Sequence, residues 1–231
     1  MDYLCAVITA DVINSKNSNK DILKFLESKN IYYNEDKVLN IFLTEQSQKI
    51  TMSLQSKNLI STDVSISRGD EIQVFCSDII NIIEVIRQLR YYFRPLKIRI
   101  GVGIGGINTE KSDNSWNMDG EAFFKAREAL DKVKIQDKKR MTYICSPNEQ
   151  FDIISNSIYM LIDSLINEWS DSKWESVNAY EVYENYEKAG ISIGKSRQSI
   201  SNNCKTAHFE KIKQAEEDLK RIIDLYFKNK E

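Results

Sequence analysis

Asp11 and the neighbouring pair Asp70 and Glu71 have the residue types and surroundings of a metal and nucleotide site. Asp11 follows an apolar run rich in Val, Ile and Thr, from Tyr3 to Ala10, which has the length of a buried strand. Asp70 and Glu71 lie at the tip of a hairpin predicted from Val64 to Cys76. Two converging carboxylates can hold Mg²⁺ against a triphosphate, because this hard cation prefers oxygen ligands. Taken alone, each acid is more often a solvated turn residue, so the paired placement is what indicates a metal.

The predicted elements place these acids in an α+β fold. The first strand and the hairpin are joined by a helix from Asp36 to Ser56 and followed by further segments: a helix from Ile79 to Phe93, a strand from Leu96 to Ile107, a helix from Gly120 to Lys134 and a strand from Met141 to Cys145. Gly101, Gly103, Gly105 and Gly106 in the second long strand indicate close approach of another backbone. The order contains the βαββαβ unit of a ferredoxin-like sheet, which predicts a first domain over residues 1–148.

Several motifs resemble those of nucleotidyl cyclases. Thr9-Ala10-Asp11-Val12-Ile13-Asn14-Ser15 resembles the first-strand motif of class III nucleotidyl cyclases, and Arg68-Gly69-Asp70-Glu71-Ile72 resembles both the cyclase hairpin and the Gly-Gly-Asp-Glu-Phe signature of diguanylate cyclases. The resemblance implies a nucleotidyl-cyclase or palm-like fold in which Asp11 and Asp70 bind Mg²⁺ or Mn²⁺ and Glu71 is a candidate third ligand. It also implies nucleotide-binding roles for Val12, Asn14, Ser15 and Gly69.

A later helix resembles the cyclase helix whose Lys or Arg approaches the nucleotide phosphates. Its residues are Ala122-Phe123-Phe124-Lys125-Ala126-Arg127, and the resemblance makes Arg127, with Lys125, the phosphate-binding candidate. Phe123 stands where class III cyclases carry an Asn. If the site is catalytic, the implied mechanism is two-metal phosphoryl transfer, with Asp11, Asp70, Glu71 and Arg127 as the catalytic residues. The order of motifs over essentially the whole chain is most similar to that of the SatD family.

After Pro147 the pattern is helical only, which predicts a second domain over residues 149–231. Its predicted helices run from Phe151 to Trp169, from Lys173 to Lys188, around Ser196 to Ala207 and from His208 to Phe227. The segment from Lys173 to Lys205 resembles a helix-turn-helix, with Ile200 as the buried anchor of its second helix. Residues 188–213 contain six Lys or Arg and one acid, Glu210, so basic charge is concentrated there. The side chains expected to reach double-stranded DNA are Lys195, Arg197, Gln198, Ser199, Asn202 and Lys205. The alternative is a helical lid or dimerisation domain whose turn only resembles this motif.

Composition favours a globular intracellular protein. The chain has 231 residues, 42% of them apolar, a formal net charge of −2 and four cysteines without metal-ligand spacing. No segment has the length and apolarity of a membrane span, so a cytoplasmic location is expected. The leading hypothesis is a metal-dependent nucleotide-binding domain coupled to a DNA-binding tail, and class III cyclases suggest a homodimer. The alternatives are an active nucleotidyl cyclase or cyclic-oligonucleotide synthase, and a degenerate scaffold without catalysis.

Overall fold

A computed structural model describes residues 4–32, 38–67, 69–110, 112, 115–135 and 140–228. Arg68 at the hairpin tip and the predicted helix start at Asp36 lie outside these residues. The strands are β1 (Cys5–Val12), β2 (Ser65–Ser67), β3 (Glu71–Cys76), β4 (Ile98–Gly105) and β5 (Thr142–Cys145). The helices around them are α1 (Asn19–Glu27), α2 (Val38–Ser56), α3 (Ile82–Tyr92) and α4 (Glu121–Ile135). The predicted α+β class and the hairpin are confirmed.

The five strands form one mixed sheet in the order β2-β3-β1-β4-β5. Every pairing is antiparallel except that of β4 with β5. Side chains alternate between the two faces along a strand. In β1, Ala6, Ile8 and Ala10 join a core built with α2 and α3, whereas Cys5 and Val7 join a smaller cluster with α4. Asp11 continues the second series and therefore lies on the α4 face.

Glycines in β4 allow α4 to lie directly against the sheet. A Cβ at Gly101 would meet the backbone of Leu130 and Ala126, and one at Gly103 would meet the backbone of Ala122 and Ala126. The prediction of close backbone approach is confirmed for Gly101, Gly103 and Gly105 and is wrong for Gly106, which has open space beside it. The close approach fixes α4 over β4 and so determines which of its side chains reach the end of β1.

Within the described residues, β5 is followed by the α-helices α5 (Glu149–Ile166), α6 (Asp171–Tyr183), α7 (Tyr186–Ser192), α8 (Arg197–Thr206) and α9 (Phe209–Ile223), and α9 continues into a π-helical turn at Asp224–Lys228. The single helix predicted from Lys173 to Lys188 is wrong. Glu184 adopts a left-handed conformation with φ 47°, and the Asn185 side chain accepts hydrogen bonds from the next turn, so the chain ends α6 and caps α7 there. Helix α1 was not predicted; its buried side chains are Ile22 and Leu26.

The late helices share a core with the sheet. Ile200, Phe209 and Leu219 belong to the same cluster of buried side chains as Ile8 and Leu43. The domain division at residue 148 therefore stays a prediction.

Two arginines of α3, Arg87 and Arg90, and Arg94 just after its end join the sheet layer to these helices. Arg87 pairs with Glu181 of α6 and Glu216 of α9, Arg90 pairs with Asp163 of α5, and Arg94 pairs with Asp171 of α6. Arg87 and Arg90 are almost fully buried. Breaking either pair would leave an uncompensated buried charge, which is strongly destabilising, so these contacts hold the two layers together.

Helix α5 also covers the exposed edge of β5 through two side chains. Asn156 donates to the carbonyl of Ile144 and accepts from its N–H, at 2.8 and 2.7 Å. Asp163 accepts from the backbone N–H groups of Met141 and Thr142, both at 2.7 Å. Edge strands with unpaired N–H and C=O groups invite pairing with other chains, and these contacts remove that possibility for β5.

None of the helices in the described ranges is long and apolar enough to cross a membrane.

Candidate functional site

Asp11 lies at the end of β1, directly opposite Glu71 of β3 on one side and Arg99 of β4 on the other. Residues that face each other across antiparallel strands project their side chains to the same face of the sheet. Asp11 and Glu71 therefore point to the α4 side together. Asp70 precedes Glu71 in the tight turn between β2 and β3, as the sequence predicted for the hairpin tip.

A cavity of about 210 Å³ lies between this corner of the sheet and the C-terminal half of α4. Its walls are Asp11, Asp70 and Glu71 from the sheet and Arg127, Leu130, Asp131 and Lys134 from α4. The structure thus brings together all four residues predicted as catalytic. Because α4 runs antiparallel to β4, its C-terminal half lies at this end of the sheet. Arg127 therefore lies beside Glu71, and the first turn of α4 lies at the other end.

The charges in the cavity are partly paired. Lys134 Nζ lies 3.1 Å from Asp11 Oδ2, and Arg127 Nη2 donates to Glu71 Oε1 at 2.8 Å. The other carboxylate oxygen of Asp11, Oδ1, is buried and has no hydrogen-bond partner. Four carboxylates and two cations line the cavity, so its formal charge is −2. A buried carboxylate oxygen without a partner is costly, and a bound cation would compensate it.

The site does not have the composition of a metal cage built from protein alone. Within the described ranges, no group of three or more His, Cys, Asp or Glu side chains is arranged to hold a metal ion. Mg²⁺ in nucleotide sites commonly uses one or two carboxylates and takes its remaining ligands from phosphates and water. Asp11 and Asp70 fit that second arrangement.

The other predicted nucleotide-binding residues do not line this cavity. The Val12 side chain is buried in the core, and Asn14, in a left-handed conformation, lines a separate cavity beside Lys97. Ser15 starts the short 3₁₀ turn that follows. Lys125 lies toward the opposite end of α4, where its Nζ donates to the carbonyl of Ser146 at 3.0 Å.

Gly69 is required by the turn conformation. Its φ is 100°, which side chains other than glycine rarely adopt, and a Cβ there would meet no protein atom within 4 Å. A nucleotide-binding role for Gly69 stays a prediction.

Sequence reasoning missed Asp131 and Lys134. Both could have been found from Arg127, because residues four and seven positions further along a helix lie on the same face. Lys134 is the more informative of the two, since it is the direct partner of Asp11.

The predicted DNA-contact residues in α8 and in the turn before it are exposed, with two exceptions. Arg197, Gln198, Asn202 and Lys205 are exposed, and Ile200 is fully buried as predicted. The first exception is Lys195, whose Nζ lies 3.0 Å from Glu175 Oε2 and 3.0 Å from Ser172 Oγ. The second is Ser199, which is partly buried.

Fold and cavity together define an α+β protein with an acid-lined cavity between the end of its first strand and the helix that covers the sheet. The model of the SatD family matches residues 5–192, and the chain belongs to this family. The matched residues include every wall of the cavity and end with α7, so α8 and α9 lie outside them. A search of curated proteins found no match to the chain.

Proposed function

We propose that this SatD-family chain is a nucleotide-responsive regulator, which binds a nucleoside triphosphate with Mg²⁺ or Mn²⁺ at the Asp11–Asp70 cavity and double-stranded DNA through its helical tail. The observation that carries the nucleotide part is the buried, unpartnered Oδ1 of Asp11 in a cavity shared with Asp70 and two cationic side chains. Bound Mg²⁺ would supply positive charge between these carboxylates and the phosphates.

The strand order supports the finer fold assignment on which this proposal depends. The sequence β2-β3-β1-β4 is the order of a ferredoxin-like βαββαβ sheet, with β5 added beside β4. In such a sheet the first strand is central, so a residue near its end has a neighbour on each of the two adjacent strands. Asp11 has such neighbours in Glu71 of β3 and Arg99 of β4.

Arg127 and Lys134 have a defined task in this proposal. Their present partners are Glu71 and Asp11, and their side chains are 59% and 40% exposed. Both are long side chains with room to turn toward solvent. When a cation takes the place of Lys134 beside Asp11, Lys134 and Arg127 can pair with phosphate oxygens instead.

Phe123 favours binding over cyclisation. This residue stands where class III cyclases have an Asn, and it packs against the cluster that contains Val7 and Phe75. A phenyl ring offers no hydrogen bond to a ribose or phosphate. The proposal therefore requires occupancy of the cavity by nucleotide and no turnover.

The tail part of the proposal rests on α7, α8 and the turn between them. Gly194, with φ 67°, lies in this turn, and Ile200 and Cys204 bury one face of α8 against the neighbouring helices. The opposite face presents Arg197, Gln198, Asn202 and Lys205, a pattern suited to a helix-turn-helix that contacts phosphates and base edges. A homodimer, as in class III cyclases, would present two such helices.

Isothermal titration calorimetry of the full chain tests nucleotide binding. We expect at least one of the four ribonucleoside triphosphates to bind with Mg²⁺ and to lose binding without it. Asp70→Ala should abolish the binding without unfolding the protein, because Asp70 lies in a turn at the surface. Asp218→Ala, an exposed acid on α9, is the matched control and should bind as the unmodified chain does. Equal binding by Asp70→Ala and the control would refute the assignment.

Fluorescence anisotropy with labelled duplex DNA tests the tail. The full chain should bind at low salt, and the triphosphate with Mg²⁺ should change its affinity. Absence of duplex binding at low salt, with and without nucleotide, would contradict the regulator and leave the nucleotide site to a different function.

A further inference from the structure

A second cavity, of about 290 Å³, lies on the other side of the β1 terminus, where the end of α3, the start of β4 and the turn from α5 to α6 meet. Its polar walls are Arg90, Arg94, Lys97 and Asp171, and its aromatic walls are Trp169 and Trp174. The nucleotide proposal uses none of these residues. They come from both the sheet layer and the later helices, so the cavity exists only in the assembled fold.

Arg94 is a buried cation with incomplete compensation. It is 8% exposed, and its Nη1 donates to the backbone oxygen and Oδ1 of Asp171 at 3.2 and 3.3 Å. Its Nε donates to the carbonyl of Tyr91 at 3.1 Å, and the guanidinium carbon lies 4.5 Å from the centre of the Tyr91 ring, so Asp171 is the carboxylate with which it pairs within the described residues. The Asp171 side chain is 60% exposed, so water screens its charge. Burial lowers the pKa of Arg94, and the electrostatic influence of Tyr91, Asp171 and Glu175, which raises it, does not offset that effect. An anion in the cavity would supply the missing compensation.

The other charged groups around the cavity have the same sign. Arg90 is paired with Asp163, but its Nε is buried without a hydrogen-bond partner. Lys97 is exposed at the rim, and within the described ranges it makes no ion pair. Asp163 compensates the charge of Arg90, so two cations, Arg94 and Lys97, face one solvent-exposed acid, Asp171, and the cavity has a positive field.

The remaining walls are flat and apolar. Trp169 and Trp174 meet edge to face with their ring centroids 4.7 Å apart, and Leu96, Ile166 and Met141 complete the lining. Aromatic walls of this kind bind a planar ring through its face or edge. With a water molecule occupying about 30 Å³ in the liquid, the cavity has space for about ten non-hydrogen atoms. That is the size of one six-membered ring carrying one acidic group.

We propose that this cavity is a binding site for a small aromatic anion, a single ring bearing a carboxylate or a phosphate monoester, with the acidic group against Arg94 and Lys97 and the ring against Trp169 and Trp174. The combination of buried cations and apolar walls is what binding pockets for small organic acids require. The site is separate from the Asp11–Asp70 cavity and does not depend on the proposed function.

Tryptophan fluorescence tests the proposal on the full chain. The chain has three tryptophans, so Trp116→Phe leaves only the two in the cavity wall as reporters. The probes are benzoate, phenyl phosphate and, as the neutral control of the same shape, benzamide. We expect saturable binding of at least one anion, at least about tenfold tighter than that of benzamide, because the control lacks the charge-assisted hydrogen bond. The anion that binds more tightly identifies the acidic group.

Variants separate this site from the first one. Arg94→Lys should weaken anion binding about tenfold, and Lys97→Gln, at the exposed rim, should weaken it about threefold without affecting folding. Asp70→Ala should leave it unchanged, which distinguishes failure here from failure of the nucleotide proposal. Equal binding of benzoate and benzamide, absence of saturable binding by both anions, or unchanged affinity in Lys97→Gln would overturn the proposal.

Discussion

Replacing Glu216 by Gln should remove a pH dependence of stability that the structure builds into the contact between α3 and α9. Glu216 is 4% exposed and accepts a hydrogen bond from Arg87 Nε at 3.1 Å. The same guanidinium also pairs with Glu181, so one cation serves two carboxylates. Burial raises the pKa of Glu216 from 4.5 to about 7, and the attraction of Arg87 offsets this only in part.

The direction of the pH dependence follows from which state, the folded protein or the unfolded chain, binds the Glu216 proton more tightly. The folded protein holds the Glu216 proton up to about pH 7, whereas the unfolded chain releases it near 4.5. The stabilising contribution is therefore complete below about pH 4.5 and is lost as the pH rises through 7. At 1.36 kcal/mol for each pH unit between the two values, the loss amounts to about 3 kcal/mol.

Urea unfolding at intervals from pH 4.5 to 8.5 measures this contribution. The free energy of unfolding of the unmodified chain should fall over this range more than that of Glu216→Gln, and the difference between them should reach about 3 kcal/mol. Glu217→Gln, which alters an exposed acid paired with Lys220, is the control and should follow the unmodified chain. Parallel pH profiles for Glu216→Gln and the unmodified chain would show that Glu216 is ionised in the folded protein at neutral pH and would refute the reasoning.

Four further substitutions test the packing and the tail. Gly103→Ala should lower the free energy of unfolding in urea by about 3 kcal/mol, because the added Cβ meets the backbone of α4. Gly106→Ala is the control and should change the free energy of unfolding little, because there is open space beside Gly106. Asn156→Ala should lower the free energy of unfolding by about 2 to 4 kcal/mol, measured by thermal or urea unfolding, because it leaves the N–H and the carbonyl of Ile144 on the edge strand β5 without partners. Arg197→Gln and Lys205→Gln should each lower the salt dependence of duplex binding by about one unit of slope while sequence preference is kept; an unchanged slope would place α8 away from the phosphates.

The sheet and its acids could be predicted because the signals were local. The apolar run of β1 ends at Asp11, and the turn with Gly69 places Asp70 and Glu71 at the hairpin tip. These local signals identify the acids, whereas the pairing of β1 with β3 that sets Asp11 opposite Glu71 is seen in the structure. The glycines of β4 likewise indicated a close helix before its position was known.

Features that depend on several segments at once were not predictable in this way. Lys134 lies on the same helix face as Arg127, but its contact with Asp11 depends on how far α4 is displaced along β4, which the close approach at Gly101 and Gly103 determines and helical periodicity does not. The break at Glu184 depends on a left-handed residue followed by a capping Asn, which helical periodicity does not reveal. The buried pairs of Arg87 with α6 and α9 join distant segments, so a tail separate in sequence shares its core with the sheet.

Electron paramagnetic resonance of Mn²⁺ tests most directly whether Asp11 and Asp70 hold a divalent cation together with a triphosphate. In the presence of the nucleotide that binds in calorimetry, the unmodified chain should reduce the signal of free Mn²⁺ and Mn²⁺-nucleotide at one equivalent per chain. Asp11→Asn, which keeps the shape of the side chain and removes its charge, should leave the signal as it is without protein. An equal reduction of the signal by Asp11→Asn and the unmodified chain, or no reduction by either, would contradict a cation site at Asp11 and Asp70.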